Sequence, residues 1–156
     1  MRSSLPRAFL AAGYLTLIVV PAAWAQRATE FQVHGLGTVG DEQFWGGGLG
    51  IALRSQGRMR AGVYASVGAF DGEVTVRPEG ILSFHLNPYR RSGVSPYAGG
   101  GIALLLIRGA SREYIVGLIG IEWRPGTGSG WFVEAGIGGG VRLALGHQLR
   151  RRAGRR

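Results

Sequence analysis

The chain has no cysteine, and all eighteen of its basic residues are arginine, set against only nine acids in 156 residues. Without cysteine, no disulfide framework can hold an exported domain together, so core packing or strand closure must do it. No apolar run is long enough for a membrane-spanning helix. The longest, Ala8 to Val20, stops at Pro21 and falls short of the roughly 20 residues required. No segment combines helical periodicity with helix caps. Metal chemistry has no support either, because His34, His85 and His147 are far apart and no His-x-His or cysteine pattern accompanies them. Gly99-Gly100-Gly101 and Gly138-Gly139-Gly140 are not phosphate loops, since no Gly-Lys-Ser/Thr follows and neither opens a helix. The scattered acids single out no glycosidase pair. No cofactor is expected.

Residues 1–25 have the three parts of an export signal: basic Arg2 and Arg7, an apolar stretch, and small Ala23 and Ala25 before Gln26. The expected product is a signal-peptide helix over 1–25, cut after Ala25. The formal charge of +9 then becomes +7, because Arg2 and Arg7 leave. The mature length suits one domain with no internal linker, divided as a barrel over 26–148 and an arginine-rich tail over 149–156. Arg150, Arg151, Arg152, Arg155 and Arg156 read first as a solvated tail and second as a contact for phospholipid or lipopolysaccharide phosphate. An exported chain meets no nucleic acid.

Alternation is what the chain does have. Between Trp131 and Leu145, Trp131, Val133, Ala135, Ile137, Val141, Leu143 and Leu145 share one parity, while Phe132, Glu134, Gly136, Gly138, Gly140, Arg142 and Ala144 share the other. Successive side chains of a strand point to opposite faces, so one face is greasy and the other small or charged. Seven such segments are legible, at 29–39, 44–54, 58–70, 74–87, 96–108, 113–124 and 131–146, separated by turn chemistry such as Asp71-Gly72 and Asn87-Pro88. The fold class is all-β, an antiparallel up-and-down barrel. Single-chain membrane barrels have an even strand count, so eight strands are expected. The eighth is placed first within 74–87, where Pro78 and Gly80 break the pattern, and second after Gly138, where unbroken parity argues against a split.

The outward set is Trp45, Leu49, Ile51, Leu53, Val63, Val67, Leu82, Phe84, Leu86, Ile115, Ile119, Ile121 and Trp123. Arg54, Tyr64, Ser66, Ser83, His85 and Tyr114 fall on the opposite parity, together with an expected interior salt-bridge network of Arg60, Arg77, Glu79, Glu122, Glu134 and Arg142. A polar interior with a greasy exterior suits a lipid-facing barrel, whereas a soluble lipocalin-type barrel is the reverse. Glycine, 29 of 156 residues, often takes the inward parity and makes room there for large charged groups. Aromatics gather near segment ends, and Trp45, Tyr97, Tyr114, Trp123 and Trp131 are the expected membrane girdle.

The signal ending Ala23-Trp24-Ala25, the strand opening Pro96-Tyr97-Ala98-Gly99-Gly100-Gly101 and the final Glu134-Ala135-Gly136-Ile137-Gly138-Gly139-Gly140 resemble the family of small outer-membrane β-barrel proteins. The resemblance spans nearly the whole mature chain. It implies an up-and-down barrel in the outer membrane of a diderm bacterium, the alternative location being the periplasm. Such barrels usually end on an aromatic residue read by the insertion machinery; this chain ends in arginines. Ser83, His85 and Glu79 further resemble the arrangement of outer-membrane lipid A deacylases, which would make them nucleophile, base and orienting acid, although their order and spacing depart from that pattern. A buried polar network accounts for the same residues. A structural or interaction barrel without enzymatic activity is therefore expected ahead of a barrel binding a lipid or other amphiphile, and ahead of an esterase. Eight strands enclose room only for side chains, which argues against a diffusion pore. The expected state is a monomer in contact with outer-membrane lipid or lipopolysaccharide, and with envelope proteins as further partners.

Overall fold

The structure, a computed structural model, describes residues 26–40 and 43–152. The export signal with its cleavage residues Ala23 and Ala25, and the arginines Arg155 and Arg156, lie outside the described residues. Eight strands follow one another: β1 (Gln26–Val39), β2 (Phe44–Ser55), β3 (Met59–Phe70), β4 (Glu73–His85), β5 (Val94–Ile107), β6 (Ala110–Trp123), β7 (Ser129–Ile137) and β8 (Val141–Arg152). Each pairs antiparallel with its neighbours in sequence, and β1 pairs with β8, so the sheet closes into an up-and-down barrel. Closure leaves no outer strand without a partner and removes the need for staples.

The eighth strand does not come from 74–87. There β4 runs unbroken past Pro78 and Gly80, and only its ladder with β5 skips Arg77 and Pro78, where proline has no N–H to donate. The division falls instead in the last segment, at Gly138-Gly139-Gly140, with Gly139 at φ +78° and Gly140 at φ +123°. Partners across an antiparallel ladder point to the same face. Ile137 pairs with Val141, four positions on, so the outward parity passes through this turn unchanged. At the Asp71-Gly72 hairpin, Phe70 pairs with Glu73, three positions on, and the outward residues switch from odd to even numbers. Unbroken parity therefore does not mark a single strand when the turn contains an odd number of residues.

The barrel also extends beyond residue 148. Ala28, Thr29 and Glu30 of β1 pair with Arg152, Arg151 and Arg150, so four residues assigned to the tail belong to β8. Alternation separates neighbours in this arginine run: Arg150 turns inward and is half-buried, while Arg151 is exposed on the other face.

The two mouths differ. One carries both ends of the described chain and the connections 56–58, 86–93 and 124–128. The other is closed by tight turns, among them Asp71-Gly72, both residues at positive φ as a two-residue hairpin of this hand requires. Inside that far mouth, Leu36, Phe44, Phe70, Leu105 and Ala144 form an apolar plug with Tyr114 and Ile107 packed on it. A second cluster, built on Tyr64, Ile81, Tyr97, Val116 and Leu118, occupies the middle. The Tyr64 ring lies where a Cβ on Gly50 or Gly62 would stand, so these two glycines let it cross the lumen. The outer wall is mostly apolar, with Leu49, Val63, Val74, Ile115, Ile119, Ile137, Val141 and Leu145 all exposed.

Candidate functional site

The inward parity builds two ionic groups. Nearer the far mouth, Arg77 Nε donates to Glu79 at 2.8 Å, and Arg142 donates from Nη2 to Glu79 at 2.9 Å and from Nη1 to Glu134 at 2.7 Å. Tyr97 Oη donates to Glu134 at 2.8 Å, and Arg77 Nη2 donates to the Gly138 carbonyl at 2.7 Å, tying the group to the β7–β8 turn. Two arginines face two glutamates, and the group is balanced. Burying such charges costs several kcal/mol per ion, by order of magnitude, unless partners satisfy them, and here each carboxylate takes two donors.

The second group lies toward the mouth beside the termini. Glu30 accepts from Arg54 at 2.7 Å and from Arg150 at 2.7 Å, and pairs with Arg60 at 2.9 Å. Glu122 accepts from Arg54 at 3.0 Å and also pairs with Arg150. Arg60 additionally donates to Gln32 at 2.5 Å. The structure thus brings the six expected network residues inside and divides them. Arg77, Glu79, Glu134 and Arg142 form one set, while Arg60 and Glu122 join Glu30, Arg54 and Arg150 in the other. Glu30, Arg54 and Arg150 were missed as network members, although Arg54 had the inward parity. The signal for Glu30 was there, since it has the parity opposite to exposed Phe31 and Val33 on the first strand. Arg150 was hidden in a run of like charge.

Ser83 Oγ lies 3.3 Å from His85 Nε2, as their shared parity suggested. Glu79 is not their third member. It sits six residues before His85 on one strand, about 20 Å away at a strand's rise per residue, and both its oxygens are taken by Arg77 and Arg142. The carboxylate near His85 is Glu122, with Nδ1 to Oε2 at 3.4 Å. The His85 ring is fully buried and stacks on Tyr97 at 4.5 Å between centroids, and Ser83 is buried beside it.

Two expected girdle residues face the other way. Tyr97 is buried in the lumen against Glu134 and His85, because its parity matches that of Ser95. Tyr114 is half-buried on the inward side, close over the Gly139 turn and under the Arg77 guanidinium at 5.7 Å. Trp45, Trp123 and Trp131 are exposed on the outer wall. Phe31 and Phe84 join Trp123 and Trp131 near the termini end, whereas Trp45 stands toward the far end.

That termini end is covered by its connections. Tyr89 Oη donates to the carbonyls of Gln56 and Gly57, the Gly126 N–H donates to Arg90 at 2.7 Å, and the Arg124 N–H to Gly93 at 2.9 Å. The three loops are thereby bound to one another over the second ionic group. Between them lies a cavity of about 160 Å³, lined by Arg54, Arg91 and Arg150 with Ala28, Pro88, Tyr89, Pro125 and Gly126. Neither Ser83 nor His85 lines it.

Among solved structures, the chain is similar to the N-terminal β-barrel domain of Pseudomonas aeruginosa OprF, at TM-score 0.59 and 14% identity, over 81% of this chain and 98% of that one. The chain shares the fold of small outer-membrane barrels. Neisserial surface protein A is a second such likeness, at TM-score 0.53 and 10% identity, over 78% of this chain and 95% of that one. No protein-family model matches the chain, and no curated protein sequence matches it.

Proposed function

We propose that this chain is an outer-membrane barrel of a diderm bacterium with a structural or interaction role, monomeric, exported by its signal and surrounded by phospholipid or lipopolysaccharide. The observation that carries this reading is the inversion of polarity: charged residues of the strand bodies are buried and ion-paired inside, while isoleucine, leucine, valine and tryptophan cover the outside. Water would not tolerate that exterior, and a bilayer requires it. The strands, nine to fourteen residues long, are adequate for a tilted crossing, which needs ~9–11. An internal ligand or pore would need space that the apolar plug, Tyr64, Tyr97 and the arginines occupy.

Fractionation of a tagged chain tests the reading. The expected result is recovery in the outer membrane, an N-terminus at Gln26, and a gel mobility that changes on heating. Recovery in the periplasmic fraction, with no heat-modifiable form, overturns it.

A further inference from the structure

The ionic group beside the termini is not balanced. Among the described residues, Arg54, Arg60 and Arg150 share only Glu30 and Glu122, which leaves one positive charge in excess. The Arg54 side chain is 4% exposed, and its Nη1 has no hydrogen-bond partner among the described residues. Leaving a buried charged donor unmade is costly, so the group lacks an acceptor. The cavity is where that acceptor fits. Buried Arg54 and half-buried Arg150 line it from β2 and β8, and exposed Arg91 lines it from the 86–93 connection. A water needs about 10–15 Å³ by such a measure, so about 160 Å³ holds several waters or one tetrahedral oxyanion.

The surrounding field favours the same ligand. Arg58, Arg90, Arg91, Arg124 and Arg151 are exposed around this mouth. Among the described residues, the acids outside the two ionic groups are Asp71, Glu73 and Glu113, all at the opposite end. Guanidinium forks suit phosphate geometry, and a basic concave mouth concentrates anions.

We propose that this mouth is an anion-binding site for a phosphate group, held by Arg54, Arg91 and Arg150 and enclosed by the bound loops. The phosphate belongs either to a lipid headgroup or to a free phosphate compound. The site does not depend on the membrane location proposed above, since the first test uses protein in nonionic detergent.

Inorganic phosphate is titrated against sodium chloride of equal ionic strength, with thermal unfolding and phosphorus NMR linewidth as readouts. Phosphate should stabilise saturably, and Arg91→Gln, at the exposed rim, should weaken the apparent affinity about tenfold. Arg124→Gln, outside the cavity, removes only a screened long-range charge and should weaken it less than about twofold. Nanodiscs of phosphatidylcholine with and without phosphatidylglycerol form the second arm. An Arg91-dependent shift with phosphatidylglycerol but not with inorganic phosphate identifies the headgroup as the ligand, and the converse identifies a free phosphate. No saturable effect in either arm, or equal losses for Arg91→Gln and Arg124→Gln, overturns the site and leaves surface charge alone.

Discussion

Arg142 on β8 and Glu79 on β4 meet at 2.9 Å although their strands lie half the barrel apart in strand order. The contact therefore crosses the lumen. It joins opposite walls in the middle of a sheet whose own hydrogen bonds link only neighbours, and Arg142 continues it to Glu134 on β7. Removing either partner should destabilise the barrel by about 3–5 kcal/mol, because a buried charge is left uncompensated. The two single losses should be similar, since Arg142 bridges two carboxylates and Glu79 bridges two guanidiniums. The double variant should lose less than the sum of the two single losses. Urea unfolding in detergent measures all three. Strict additivity would show that the contact contributes nothing across the lumen.

Ile119 lies in the body of the outer wall, paired with Ala98 and Ala135, while Val74 stands beside the Asp71-Gly72 turn. Both are exposed. In a bilayer, Ile119→Arg should cost about 2–4 kcal/mol and Val74→Arg about 0–1 kcal/mol, because the penalty of an outward charge follows depth. Refolding equilibria into lipid vesicles provide the values. Equal and small costs at the two positions would contradict a lipid-facing wall.

Much of this barrel was legible because its residues carry information two at a time. Trp131, Val133 and Ile137 set one face, and Phe132, Glu134 and Arg142 the other, so inside and outside followed from alternation. What alternation cannot reveal is a turn that preserves parity. The β7–β8 turn was hidden for that reason, while Pro78 suggested a break where the strand passes through with two ladder positions, Arg77 and Pro78, unfilled toward β5. The interior partners were legible as a set but not as pairs, because Glu122 and Glu79 both face inward and only barrel closure decides which arginines reach each. Tyr97 was misplaced because an aromatic near a strand end is equally common on either face. Its neighbour Ser95, buried on the same parity, was the better guide.

The hidden turn supplies its own test. Gly140, at φ +123°, occupies a backbone region that side chains of L-residues rarely adopt, and a Cβ there would meet the Val39 carbonyl oxygen at 2.7 Å. Gly140→Ala should therefore destabilise by about 1–3 kcal/mol. Gly80→Ala, in the body of β4 with open space around it, should stay within about 0.5 kcal/mol. Thermal unfolding of the two variants compares them. The reverse order would place the strand boundary at Gly80, contrary to the ladder.

Ser83, His85 and Glu122 are aligned as a hydroxyl, an imidazole and a carboxylate, but the serine is buried and the cavity at the mouth does not reach it. The contact gives the buried Ser83 hydroxyl and His85 Nε2 a partner each, so Ser83→Ala should cost about 1 kcal/mol in stability, the ordinary net value of one hydrogen bond. Ester-lipid hydrolysis by the purified barrel, assayed with a short-chain and a long-chain substrate, should be at background for the natural chain and for Ser83→Ala alike. Hydrolysis that disappears with Ser83→Ala and with His85→Ala, while both variants remain heat-modifiable, would establish a catalytic role. Glu122→Gln would then separate the two roles. As an orienting acid it should lower the rate with folding intact, whereas as the partner of Arg54 and Arg150 it should first weaken the barrel.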